Sequence, residues 1–138
     1  MAAKDIIHDA VKNALIKDGW IITDDPFTIR YEDATVFADL AAERAIAAAK
    51  AGTKIIVEIK SFAGQSAMQE LKIALGQYQI YLPFLTELGL EHKLYLAISD
   101  VVYDQIFQRP SIQLLIKWHR LPILVVNTAT EEIVTWTN

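Results

Sequence analysis

The sequence contains no cysteine. A disulfide framework, a thiolate zinc site and a cysteine nucleophile are therefore excluded, and an intracellular protein fits best. Glycine is scarce, at five residues in 138; Gly64 and Gly76 stand alone and match neither nucleotide-binding fingerprint. The three histidines, His8, His92 and His119, show no short-spaced pairing, which makes zinc improbable. The longest strongly apolar runs, such as Ile123 to Val126, are far too short to span a bilayer. Met1-Ala2-Ala3-Lys4-Asp5 lacks the apolar stretch of a signal peptide, so a soluble, cytoplasmic protein without membrane contact is expected. Positive charge is also short. There are 13 lysines and arginines against 17 acids, a net charge of −4 with no basic run. A chain that grips phosphate backbones unaided usually carries the opposite balance.

What remains is globular: 53% of residues are hydrophobic and 22% charged, with no repeat or low-complexity segment. The length suits one ordinary domain, residues 1–138. Ile7, Val11, Ala14 and Leu15 repeat at helical spacing within 4–18, and Gly19 is the expected stop. Residues 20–23 read as a strand, Asp24-Asp25-Pro26 as a turn, and 27–31 as the partner strand. A further strand over 35–40 puts Val36, Ala38 and Leu40 on one face and Phe37 and Asp39 on the other. The alanine-rich 43–51 suggests a short helix or tight connection ending at Gly52. Ser66-Ala67-Met68-Gln69 matches a capping box that opens a second helix. Its stripe is Leu71, Leu75, Tyr78 and Leu82, with Gln77 and Tyr81 beside it; Pro83 should kink or end it. A strand over 93–98, helices over 100–107 and 111–119, and strands over 123–126 and 133–136 complete the chain. The order predicts an α/β fold, a mixed β-sheet with a parallel centre and antiparallel flanks, covered by helices.

The most informative stretch is Lys54-Ile55-Ile56-Val57-Glu58-Ile59-Lys60-Ser61. Its β-branched run marks a strand buried on both faces. Glu58 and Lys60 nonetheless share one face of it, with Val57 and Ile59 on the other. Burying an unpaired charge costs several kcal/mol, so such groups pair, hold a metal or do chemistry. Asp39, an acid among apolar neighbours, is the natural companion. Two carboxylates from neighbouring strands offer hard oxygen ligands for Mg²⁺, and a lysine beside them can orient water and neutralise charge building on a phosphate. The competing reading is a structural Glu58–Lys60 pair on an edge strand with Asp39 in a turn.

In that order, Asp39 followed by Glu58-x-Lys60 resembles the PD-(D/E)xK nuclease superfamily, and Gln77-Tyr78-Gln79-Ile80-Tyr81 resembles the Q-x-x-x-Y motif of its RecB-like branch. Ala38 stands where the superfamily's label has proline. More closely, His8-Asp9-Ala10-Val11-Lys12-Asn13-Ala14-Leu15, Val57 to Phe62, Ala74 to Tyr78 and Leu94 to Ala97 are similar to the XisH family, the fdxN element excision controlling factors. The resemblance implies a restriction-endonuclease-like core with a catalytic set of Asp39, Glu58, Lys60, Gln77 and Tyr81. It implies a Mg²⁺ or Mn²⁺ ion on Asp39, Glu58 and Ile59, and a role in excising a DNA element beside a XisI-like companion protein. It names control and does not establish cleavage, so a catalytically silent regulatory module remains the alternative. By the residues alone, Gln77 and Tyr81 could face water, His8 could stand solvated beside Lys12 or lean over the site, and Glu43 could be a first-turn helix acid. Weak DNA binding by the isolated chain is expected, with self-association or a partner making up the deficit of cations. Trp118, Leu121, Ile123 and Trp136 have the composition of an interface core or of the interior.

Overall fold

The computed structural model describes residues 3–45 and 52–137, with side chains from residue 6 onward. Helix α1 (Ala3–Lys17) is followed by strands β1 (Ile21–Asp24), β2 (Phe27–Tyr31), β3 (Ala34–Ala38), β4 (Leu40–Arg44) and β5 (Thr53–Ile59). Helix α2 (Ala67–Glu87), strand β6 (Lys93–Ser99), helices α3 (Asp100–Gln105) and α4 (Pro110–His119), and strands β7 (Ile123–Asn127) and β8 (Glu132–Thr137) complete it. The main sheet has the order β1-β4-β5-β6-β7-β8, and β2 and β3 form a separate hairpin. Strands β5, β6 and β7 run parallel; β1, β4 and β8 are antiparallel to their neighbours. The mixed α/β sheet expected from the element order is the one observed.

Hydrophobic alternation assigns the two faces. Ile55, Val57 and Ile59 of β5 pack with Tyr95, Ala97, Leu124 and Val126 under α1, whose Ile7, Val11, Ala14 and Leu15 supply the predicted stripe. The helix ends where Gly19 takes φ +94°, a conformation cheap only without a Cβ. On the opposite face Leu96, Ile98, Ile123 and Val125 meet Leu71 and Ala74 of α2, Phe107, and Ile112 of α4. A third cluster joins Ile29 and Ala38 of the hairpin to Ile56, Leu94, and Tyr81 and Leu85 of α2. Residues 55–59 are all buried, as a strand covered on both sides requires.

Four sequence expectations are corrected. The strand over 35–40 is two strands, broken by a bend at Asp39. The chain thereby leaves the hairpin for the main sheet, so Val36 and Ala38 pack in the hairpin cluster while Leu40 packs under α1. For the same reason β1 pairs with β4 and β2 with β3, not β1 with β2. Glu43 lies on β4 opposite Lys54, where a β ladder rather than a helix takes up its backbone; the remainder of the expected 43–51 element, from residue 46, lies outside the described residues. Of the two outcomes expected at Pro83, a kink or an end, the end does not occur: helix α2 continues to Glu87 and stops before Gly89 at φ +70°, with Tyr81 and Leu85 buried on either side of the turn that has lost one N–H. Its buried line is Leu71, Ala74, Tyr81 and Leu85, with Tyr78 packed on it; Leu75 and Leu82 flank it. Ser66 caps α2 where expected, its Oγ accepting from the Gln69 N–H at 3.1 Å. Pro110 opens α4, where its missing N–H costs nothing.

Candidate active site

Glu58 and Lys60 project from β5 toward α2, on the face opposite Val57 and Ile59. Glu58 is 8% exposed, one of two buried polar or charged residues among those described. Lys60 sits one residue past the end of β5, its N–H donated to the Ala97 carbonyl at 3.1 Å, and its ammonium stands 3.7 Å from Glu58 Oε2. The pairing Leu40↔Val57 delivers Asp39 to the same place. Asp39 Oδ2 accepts the Ile59 N–H at 2.7 Å, while the Asp39 backbone N–H donates to the Glu58 carboxylate. The bend at Asp39 makes both contacts possible, since a regular strand would direct its N–H and side chain differently. Asp39, Glu58 and Lys60 are therefore together, and the edge-strand reading fails because β5 is central in the sheet.

Tyr81 closes the site from α2. It is 3% exposed, so the solvated alternative is overturned for this residue. Its hydroxyl donates to the Phe37 carbonyl at 2.8 Å and lies 3.3 Å from Glu58 Oε1. One hydroxyl hydrogen cannot serve both acceptors, so the Glu58 contact is satisfied best when Glu58 carries a proton and donates to Tyr81. Gln77 is half-buried, one turn away, with its amide hydrogen-bonded to the Tyr81 hydroxyl and its Oε1 buried with no partner. Ile59 turns its side chain to the α1 face, 4% exposed, and offers the site only its backbone.

Burial pushes the Glu58 carboxyl up to about 7; the charge of Asp39 adds to the rise and Lys60 opposes it. Repulsion between the two acids is thus the second cause and desolvation the first. Burial also raises the Tyr81 hydroxyl well above the usual phenol range, with the charge of Glu58 adding to it, so Tyr81 stays a neutral donor. Without a cation Glu58 therefore holds its proton well above the usual carboxylate range and gives it up as the pH rises through about 7.

The donors fit a hard divalent ion. Among the described residues no group of three or more His, Cys, Asp or Glu converges on one point, so an ion here would rest on two carboxylates, neutral oxygens and water. Mg²⁺ and Mn²⁺ tolerate that set, whereas a structural zinc site does not. Gln77 Oε1 is a buried oxygen still lacking a partner.

Among the described residues neither His8 nor Glu43 bonds to Asp39, Glu58 or Lys60. His8 Nε2 is 2.9 Å from Asp25 Oδ1 and Lys12 Nζ is 2.8 Å from Asp25 Oδ2, so the first-helix histidine is tied to the β1–β2 turn. Burial works against ionisation of Asp25, but the bonds from Lys12 and His8 outweigh it and hold the carboxyl below its ordinary range. Sequence reasoning missed the Phe37 carbonyl as a member of the site and Asp25 as the partner of His8 and Lys12. A backbone acceptor has no sequence signal, and Asp25 reads as an ordinary turn acid.

The XisH protein family's sequence profile matches residues 1–134. The chain matches no curated protein. Two solved structures are similar to it over almost the whole length of both chains. One is an XisH family protein from Nostoc punctiforme PCC 73102, with 38% identity, 97% of this chain and 100% of that chain covered, and a TM-score of 0.87. The other is an fdxN element excision controlling factor protein from Anabaena variabilis, with 39% identity, 97% and 99% covered, and a TM-score of 0.87. The chain belongs to the XisH family.

Proposed function

We propose that this XisH family protein controls excision of a DNA element as a metal-dependent endonuclease of PD-(D/E)xK type, acting on phosphodiester bonds. The observation that carries the reading is the convergence of Asp39, Glu58 and Lys60 at one end of a buried central strand. A Mg²⁺ or Mn²⁺ ion held by Asp39 and Glu58, with the Ile59 backbone beside them, would polarise a phosphoryl oxygen and lower the pKa of a bound water. Lys60, with 19% of its side chain exposed, places a cation where negative charge gathers on the phosphate in the transition state. Tyr81 and Gln77 do not reach the DNA backbone in this reading. They hold Glu58 in position from behind, and Tyr81 links it to the Phe37 carbonyl.

A second reading keeps the fold and loses the turnover: a regulatory module that binds DNA or a XisI-like companion protein. The net charge of −4 favours it, because affinity for a duplex rests mainly on lysine and arginine contacts. So does Trp118 on α4, 77% exposed, whereas Leu121 and Ile123 are interior and Trp136 packs under α1. Self-association would also pool cations from two copies. The test is a nicking assay on supercoiled plasmid with millimolar Mn²⁺, comparing wild type with Lys60→Ala, with and without the companion protein. Wild-type cleavage that Lys60→Ala abolishes at unchanged melting temperature supports the nuclease. Absence of cleavage in every condition supports the silent module.

A further inference from the structure

The outward face of the β2–β3 hairpin has no structural task in the described residues. Its inward residues do that work: Ile29 and Ala38 are 1% exposed, Phe27 and Val36 pack beside them, and Tyr31 stacks on Phe84 of α2 with centroids 5.6 Å apart. Outward, the cross-strand pairs are Thr28↔Phe37 and Arg30↔Thr35, and all four residues are exposed. Phe37 is 58% exposed. Arg30, diagonal to it on the same face, makes no ion pair among the described residues. Diagonal neighbours in an antiparallel pair lie within reach of long side chains, so an aromatic ring and a guanidinium share this surface.

Its location is what gives the surface a ligand. Phe37 is two residues before Asp39, and its own carbonyl accepts the hydroxyl of Tyr81, which also touches Glu58. The ring is thereby anchored through its backbone to the same network that fixes Glu58. Flat apolar rings beside arginine, next to a site for phosphate chemistry, suit an unpaired nucleobase: the ring stacks on the base and the guanidinium stacks or neutralises a phosphate. A duplex keeps its bases stacked on one another and offers the ring nothing comparable.

Resting on the nuclease-fold reading above, we infer that Phe37, assisted by Arg30, is a stacking platform for an unpaired base flanking the phosphate at Asp39, Glu58 and Lys60. The substrate class of this site is then a nucleic acid with a single-stranded or frayed segment at the point of action, and not uninterrupted duplex.

The experiment measures fluorescence anisotropy of a labelled single-stranded oligonucleotide and of the matching hairpin duplex, in EDTA at low salt. Wild type, Phe37→Ala, Phe37→Leu and Phe37→Trp are compared. Stacking on one base implies that Phe37→Ala and Phe37→Leu weaken single-strand binding by roughly 5- to 150-fold and leave duplex binding unaltered. Phe37→Trp should restore it, and the new indole's fluorescence should be quenched on binding. Equal single-strand affinity in all four proteins overturns the platform while leaving the nuclease reading intact. Failure of wild type to bind the single-stranded oligonucleotide overturns the platform alone, because the nuclease reading expects only weak binding by the isolated chain and is judged by the nicking assay with Mn²⁺ and the companion protein. Loss of a dimer in Phe37→Ala, seen by light scattering, would assign the ring to a second copy of the chain and overturn the platform alone.

Discussion

Replacing Glu58 by glutamine should make the metal-free protein's stability less sensitive to pH. In the folded chain the Glu58 carboxyl is raised from 4.5 to about 7, by burial first and by Asp39 second. The native state thus binds this proton more tightly than the unfolded chain does. Its contribution is fully present below about pH 4.5 and is lost as the pH rises through 7. A rise of that size corresponds to about 3 kcal/mol, and Glu58 is buried enough for little of it to be screened. Glutamine keeps the shape, keeps a donor for the Tyr81 oxygen and cannot ionise. Melting curves of wild type and Glu58→Gln in EDTA at pH 5 and pH 8 are the assay. The variant should gain on wild type by about 2.5 kcal/mol across that interval, because the unfolded carboxyl is already partly ionised at pH 5, a relative shift of roughly 8 °C for a chain of this size. Other groups cancel in the difference. His92, lowered by burial and by Lys54, loses stability in the opposite direction, as pH falls, and does so in both proteins. Parallel curves would refute the reasoning: Glu58 would then be ionised at pH 5 in the native state, its charge neutralised by Lys60.

Mn²⁺ should restore at pH 8 what deprotonation removes: at a hundred times its dissociation constant it adds about 2.7 kcal/mol, and at pH 5 the effect should shrink as the proton competes. Thermal shift with and without Mn²⁺ at both pH values checks this, and an equal shift in Asp39→Asn would place the ion elsewhere. Tyr81→Phe should cost about 1–2 kcal/mol in urea unfolding, because it leaves the part-buried Phe37 carbonyl without the Tyr81 donor. No loss of stability would mean that the hydroxyl does not tie the hairpin to α2.

The fold was legible where burial alone decides. The β-branched run at 55–59 read as a strand buried on both faces, and the spacing of Ile7, Val11 and Leu15 as a helix with one apolar side. Asp39, Glu58 and Lys60 stood out for the same reason, as charges among apolar residues. What could not be read were events without a side-chain signature. The bend at Asp39 lies in an unbroken apolar strand pattern, and periodicity carries no mark of a change of sheet. The continuation of α2 past Pro83 depends on tertiary anchors at Tyr81 and Leu85, which local propensity does not contain. The stripe on α2 was displaced because leucines occupy both candidate lines, and the contacts of the sheet decide between them.

The pairing of Leu40 with Val57 has a consequence for how such a site can change over generations. The two acids are brought together by hydrogen bonds running sideways between strands, so the distance separating them is independent of how many residues the chain spends travelling from one to the other. Insertions between Arg44 and Thr53 lengthen that journey without moving either carboxylate. A single residue gained or lost between Asp39 and Arg44 does the reverse, turning each later side chain of that strand to the opposite face. Drift in length is therefore open on one side of Arg44 and closed on the other, and a pattern search for this site should fix the strands and leave the gap free.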